Sequence, residues 1–258
     1  ACVFGIILGE STHEATSICA VFAMGSLLII LSNLQFVFFL YNNNEVFLRE
    51  HSRGLYSTLI HWLFEDLPLL CLRTIHAFIF SVIVHEILVL ANGQDGTRAG
   101  FFYLATWIMV LNSTFMVETI VYTLPDIRSA YSFIPGASVI LFLFSGLIFK
   151  PSTLPSYLAP WLPSVSMIRW FSQGMFINQF LGDTEAFPEI KQPFYYSTYE
   201  ALLNIFGWGG KTKWDCFRIL MINFVIFRIG KLVVSILTVV SQRGKRGLKK
   251  QIVSERLY

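Results

Sequence analysis

The sequence predicts an all-α membrane protein, a six-helix transmembrane domain whose first helix is represented only by its end. Three observations predict it. The chain is 55% hydrophobic and 14% charged with a mean hydropathy of +0.61, more apolar side chain than a soluble domain of 258 residues needs, so the surplus must face lipid. Several stretches also reach the roughly 20 apolar residues that a bilayer core requires. Finally, charge is segregated. From Ser241 onward Arg243, Lys245, Arg246, Lys249, Lys250 and Arg256 meet only Glu255, a tail of +5 that leaves −2 for everything before it.

Residues 1–8 are apolar, with no basic n-region or cleavage site, and read as the end of a helix cut in the middle rather than a signal peptide. The second span, 15–40, has no charge. A cytoplasmic segment, 41–61, follows. The third span, 67–91, is rich in Leu, Ile, Val and Phe but interrupted by Arg73, His76, His85 and Glu86. The fourth, 101–124, carries only Glu118; the fifth, 129–149, carries no charge; the sixth, 216–240, carries Arg218, Arg228 and Lys231. Lys and Arg near span ends mark the cytoplasmic side, so the basic tail 241–258 is expected inside. Alternation then puts 41–61 and 125–130 inside and 150–215 outside. Prolines at 151, 155, 160 and 163 punctuate the first half of that outer loop, which suggests short re-entrant helices against the bundle. Tyr157, Trp161, Trp170 and Phe171 suit the headgroup level.

The inner segment through Glu45, Arg49, Glu50 and Arg53 reads as an amphipathic stretch that could transmit force from a soluble partner. The plainer account is an interfacial connector whose arginines snorkel. Charges within spans default to functional hypotheses; here Glu118 is expected to pair with a neighbouring cation inside the bundle, a structural role. His85 and Glu86 are expected at the outer interface, where water reaches them. Cys2, Cys19, Cys71 and Cys216 show neither paired spacing nor a histidine pattern, so neither disulfides nor a zinc site are supported. Gly210-Lys211-Thr212 ends like a phosphate-binding loop, but Ile205 stands where that loop requires glycine. No catalytic residue can be assigned. Asn112-Ser113-Thr114 satisfies the glycosylation sequon but falls within a span.

Three stretches together resemble the transmembrane domain of the G subfamily of ABC transporters, the White and pleiotropic-drug-resistance type. Val46-Phe47-Leu48-Arg49-Glu50-His51 with Gly54 and Tyr56 is similar to that family's cytoplasmic phrase before its third helix. Phe144-Ser145-Gly146-Leu147-Ile148 resembles its turn at the outer end of the fifth. Ser166-Met167-Ile168-Arg169-Trp170-Phe171 running to Asn178-Gln179-Phe180 resembles its re-entrant segment, with Gln179 in place of glutamate. Phe227-Arg228 is a weaker fourth match.

The resemblance implies an exporter half that works as a homodimer or heterodimer with another half-transporter, or as one half of a longer chain. It also implies a nucleotide-binding domain N-terminal to these residues, holding ATP and Mg, with no cofactor in this segment and no nucleic acid as partner. By the same resemblance Arg49 and Glu50 would couple the two domains. Leu28 and Leu31 on the second span and Val139 and Phe142 on the fifth would line a substrate cavity between the halves, and Leu147 and Ile148 would form the exit plug. Six apolar residues imply a hydrophobic cargo, a lipid, sterol or xenobiotic, held mainly by apolar burial at roughly 25 cal/mol per Å². Simple helix packing would look identical in sequence. The expected location is the plasma membrane. The alternative is a non-transporting receptor or channel-like protein, although a channel usually shows a polar stripe along one span, and 15–40 offers only scattered Ser, Asn and Gln.

Overall fold

A computed structural model describes residues 15–55, 57–87, 96–149, 154–158, 161–180, 203 and 206–255; it is all-helical over these residues, with no strand among them. The elements in order are α1 (Ala15–Leu31), a 3-10 turn (Ser32–Phe36), α2 (Val37–Ser52), α3 (Thr58–Phe64), α4 (Leu67–Ile87), α5 (Gly96–Thr123), α6 (Ile127–Leu143), the short α7 (Leu162–Val165), α8 (Met167–Phe180) and α9 (Lys213–Glu255). The expected end of the first span, 1–8, and most of the second half of the outer loop lie outside the described residues.

Among the described residues four stretches are long and apolar enough to cross a membrane: Cys19–Ser52, Thr58–His85, Arg98–Thr123 and Lys213–Ser241. The charge-free fifth stretch folds as α6, only 17 residues, or about 25 Å at 1.5 Å per residue. It stops at Phe144 because the next residues form a tight turn around Gly146, whose φ is +98°. A Cβ there would lie 2.7 Å from the Phe206 carbonyl oxygen and 2.8 Å from Trp208 Nε1. Trp208 is itself fully buried and donates Nε1–H to the Ser145 carbonyl at 3.1 Å. Gly146→Ala is therefore expected to lower stability by about 1–3 kcal/mol from the backbone alone, with more from displacing Trp208. A fall in Tm of the purified protein checks it.

Helix α5 is the hub. Of its apolar window 78% is buried, against 22% for the α3–α4 span and 17% for α9, and it packs on α1, α2, α4, α6, α8 and α9. Helices α4 and α9 leave long apolar strips outward, Leu72, Ile75, Phe78 and Ile79 on one and Ile222, Val225, Ile226 and Ile229 on the other. Exposed along most of their length among the described residues, those strips suit lipid.

Helix α8 corrects an expectation. Trp170 and Phe171 are 6% and 3% exposed, so they are interior residues and not headgroup anchors; Tyr157 and Trp161 alone of the four stand exposed. The helix is buried nearly all round and wedges against α1, α5 and α9. Its polar residues bond backbone carbonyls of the segment around Gly207 and Trp208 and of the first turn of α5. Arg169 Nη2 donates to the Gly207 carbonyl at 2.8 Å, Gln173 Nε2 to that of Trp208 at 2.6 Å, and Asn178 Nδ2 to that of Arg98 at 2.8 Å. In a water-poor interior each such bond satisfies a backbone group that would otherwise be costly.

Candidate functional site

The turn between α3 and α4 places Glu65 and Asp66 in the bundle, where they meet charged residues of α5 and α9. Glu118 and Tyr122 are four apart on α5, and Arg228 and Lys231 three apart on α9, so each pair shares a helix face. Lys231 Nζ lies 3.1 Å from Glu65 Oε2 and 3.2 Å from Glu118 Oε2, and it also bonds Asp66. Arg228 bonds the other Asp66 oxygen, donates to the Trp62 carbonyl at 3.0 Å and receives the Trp62 indole N–H on its own carbonyl at 3.0 Å. Its guanidinium also lies between the rings of Trp62 and Phe115, 4.4 and 4.7 Å from their centroids. The Tyr122 hydroxyl donates to Glu65, and His61 Nε2 lies 2.9 Å from the other Glu65 oxygen.

Lys231, Glu118 and Asp66 are at most 2% exposed. Charges so buried persist only where each has partners. The pairing expected for Glu118 is thus present, with Lys231 as its cation. Glu65 and Asp66 are what the sequence reading missed, since both fall between the segment 41–61 and the span 67–91. A usable signal was the excess of cations over acids in the spans, which left Arg228 or Lys231 in want of a carboxylate.

The segment 46–51, expected on the cytoplasmic side, reaches this cluster through one ring. Helix α2 runs on from the second span as far as Ser52, so its first turns are bundle helix and not a surface connector. Phe47 is fully buried and stacks on His61 at 3.9 Å between centroids, 8° from parallel. Arg49 and Glu50 lie one half-turn further on. Arg49 is exposed and pairs with Glu45 at 3.3 Å; Glu50 is half-buried, and its carbonyl accepts the Arg53 amide at 3.0 Å where the helix ends.

The residues expected to line a cavity sit on adjacent helices, since α1 packs against α6. Leu28 is 42% exposed and Val139 47%, whereas Leu31 and Phe142 are half-buried, Phe142 against the core. Leu28 continues an apolar face from Met24. Leu147 packs against the core beside the Gly146 turn, and Ile148 stands exposed. What the sequence did not announce is the 3-10 turn directly after Leu31. Asn33 holds it, donating Nδ2–H to the Ile29 carbonyl and to Ser113 Oγ, both at 3.0 Å, and accepting from Thr114 Oγ1 at 3.1 Å. The amide so covers a carbonyl freed by the switch in helix type. Phe36, at the other end of the turn, lies under the Arg73 guanidinium, 4.0 Å from the ring centroid.

Asn112 of the sequon is fully buried and donates to the Leu220 carbonyl at 3.0 Å, so it ties α5 to α9. Among the described residues no group of three His, Cys, Asp or Glu is placed to hold a metal ion.

Residues 1–180 match the family described as ABC-2 type transporter. A relative, ABC transporter G family member 8 of Arabidopsis thaliana, is 28% identical over 141 residues, which cover 54% of this chain and 23% of the relative. The match thus spans about a quarter of that protein's length.

Proposed function

We propose that this chain, which belongs to the ABC-2 type transporter family and carries a membrane domain of the ABC G type, is the membrane-spanning half of an ATP-driven exporter of hydrophobic molecules. It is an integral membrane protein and a transporter component; the cargo and the cycle are what is proposed. A single observation carries the reading. Leu28 and Val139 stand exposed on packed neighbouring helices, with Leu31 and Phe142 beside them and no charged side chain among the four. Opposed to the same strip of a second half, identical or not, they make an apolar slot that binds a lipid, sterol or xenobiotic by burial and gives a sugar or an ion nothing to hold.

The nucleotide-binding domain on this reading precedes residue 1 and supplies ATP and Mg chemistry. This chain converts closure of that domain into alternating access of the slot. Arg49 and Glu50, at the end of α2, receive the force, and Leu147 and Ile148 close the exit. The protein sits in the plasma membrane on this reading, with its basic tail in the cytoplasm.

ATP-dependent uptake of a fluorescent sterol or hydrophobic dye into inside-out vesicles holding the full-length protein tests this. Leu28→Arg is expected to abolish uptake at unchanged protein level, because the charge would sit desolvated in the slot. Glu50→Ala, in a folded protein, should abolish uptake as well. Normal uptake by Glu50→Ala would remove the coupling assignment, and normal uptake by Leu28→Arg would remove the slot.

A further inference from the structure

A cavity of about 740 Å³ opens at the end of the bundle where α2, the turn between α5 and α6, and α9 meet. That volume falls within the roughly 300–1,000 Å³ of small-molecule sites. The slot does not use it, and the ion cluster meets it at Tyr122, one of its lining residues. Its two sides differ in chemistry. Asn44, Glu45 and Arg49 of α2 form a polar rim; Val234 and Leu237 of α9 form an apolar wall.

Its depth in the membrane follows from α9. The apolar run of that helix ends at Val240, and Ser241, Gln242 and Arg243 follow. Leu237 is 61% exposed and continues the outward strip of Val233, so the wall opens sideways into hydrocarbon. The rim lies where α2 turns charged, with the Arg49 and Glu45 side chains 68% and 50% exposed. The site therefore spans the boundary between acyl chains and headgroups, where an amphiphile places both of its parts at once.

We propose that this cavity binds a membrane glycerophospholipid with a zwitterionic, primary-ammonium headgroup, its phosphate on Arg49 and Asn44, its ammonium on Glu45 and one acyl chain along Val234 and Leu237. The rim supplies one cation and one anion four residues apart, a charge pattern that matches a phosphate and an ammonium joined by a short linker. Arg49 meets the Glu45 carboxylate at 3.3 Å and donates from Nε to the Glu45 carbonyl at 3.4 Å, and an ion pair so exposed is weak enough to open. A primary ammonium donates three hydrogen bonds to a carboxylate rim, which a quaternary one cannot. An anionic headgroup would leave Glu45 facing like charge. The proposal stands apart from the exporter reading, because it needs the protein in a bilayer and no transport.

Full-length protein in phosphatidylcholine nanodiscs, doped with a diazirine-bearing phosphatidylethanolamine and irradiated, reads the site by peptide mapping. The label is expected to concentrate on 44–49 and 234–241. Unlabelled phosphatidylethanolamine should displace it; phosphatidylglycerol and diacylglycerol should not. Glu45→Lys, an exposed change that leaves the fold intact, should lose the label and make the site accept phosphatidylglycerol instead. Thr238→Trp, which fills the cavity from α9, should lose it without that switch. Label spread evenly over the outward faces of α4 and α9, displacement by either other lipid, or labelling unmoved by Glu45→Lys would each overturn the proposal.

Discussion

Lys231→Met is expected to destabilise the protein by about 3–5 kcal/mol, enough to remove most of it from the membrane fraction. The side chain is 1% exposed and lies against three carboxylates, those of Glu65, Asp66 and Glu118. Removing it leaves acids in a low-dielectric interior with Arg228 as the remaining cation on Asp66, and uncompensated buried charge is the costly outcome. Direct loss of attraction matters less, because two ions taken from water recover little of their hydration by pairing. The two accounts separate in a double variant. Lys231→Met combined with Glu118→Gln removes one charge of each sign and should recover much of the loss. Its Tm, measured in detergent beside both single variants, gives the coupling. Additive losses would mean that Lys231 acts on Glu65 and Asp66 alone.

The spans were legible because hydrocarbon imposes a composition that a stretch of sequence carries by itself. The charge-free run before Leu40 and the apolar run before Val240 could hardly be anything else. The turn after the fifth span was expected through resemblance alone, and the structure adds its physical reason, a positive φ at Gly146. The partner of Glu118 was expected in kind but not in name. Composition says that a buried acid needs a cation; only packing says that α9 brings Lys231 within 3.2 Å of it. Glu65 and Asp66 escaped because their burial comes from the packing of α3 on α9 and of α4 on α5, which leaves no trace in local hydropathy. Trp170 and Phe171 were misplaced for a related reason. An aromatic ring reads the same at a headgroup and in a core, and Trp170 became interior because α1, α5 and α9 close round it. The slot residues were located through resemblance, and their exposure on α1 and α6 is a property that no spacing rule could supply.

Phe47 sets the last expected result, because it is the point at which the cytoplasmic phrase touches the ion cluster. Its ring stacks on His61, whose Nε2 lies 2.9 Å from the Glu65 oxygen that also faces Lys231. On the coupling reading, a displacement of α2 would pass by ring contact to α3, and by charge to α5 and α9. Phe47→Ala opens a void in a fully buried position and should cost about 3–5 kcal/mol, so low expression by itself would say nothing about coupling. Phe47→Leu keeps most of the volume and should cost under about 1.5 kcal/mol, while the flat face against His61 is lost. If α2 drives the bundle through that face, Phe47→Leu in the full-length protein should reach the membrane at near-normal level and hydrolyse ATP, yet export about tenfold less per ATP, an effect of roughly 1.4 kcal/mol on the coupled step. Phe47→Tyr, which preserves the ring, should export nearly as the parent does. Equal export by the leucine and tyrosine variants would show that Phe47 fills space and nothing more, and the force would then have to pass from α2 through its direct packing on α5 and α6.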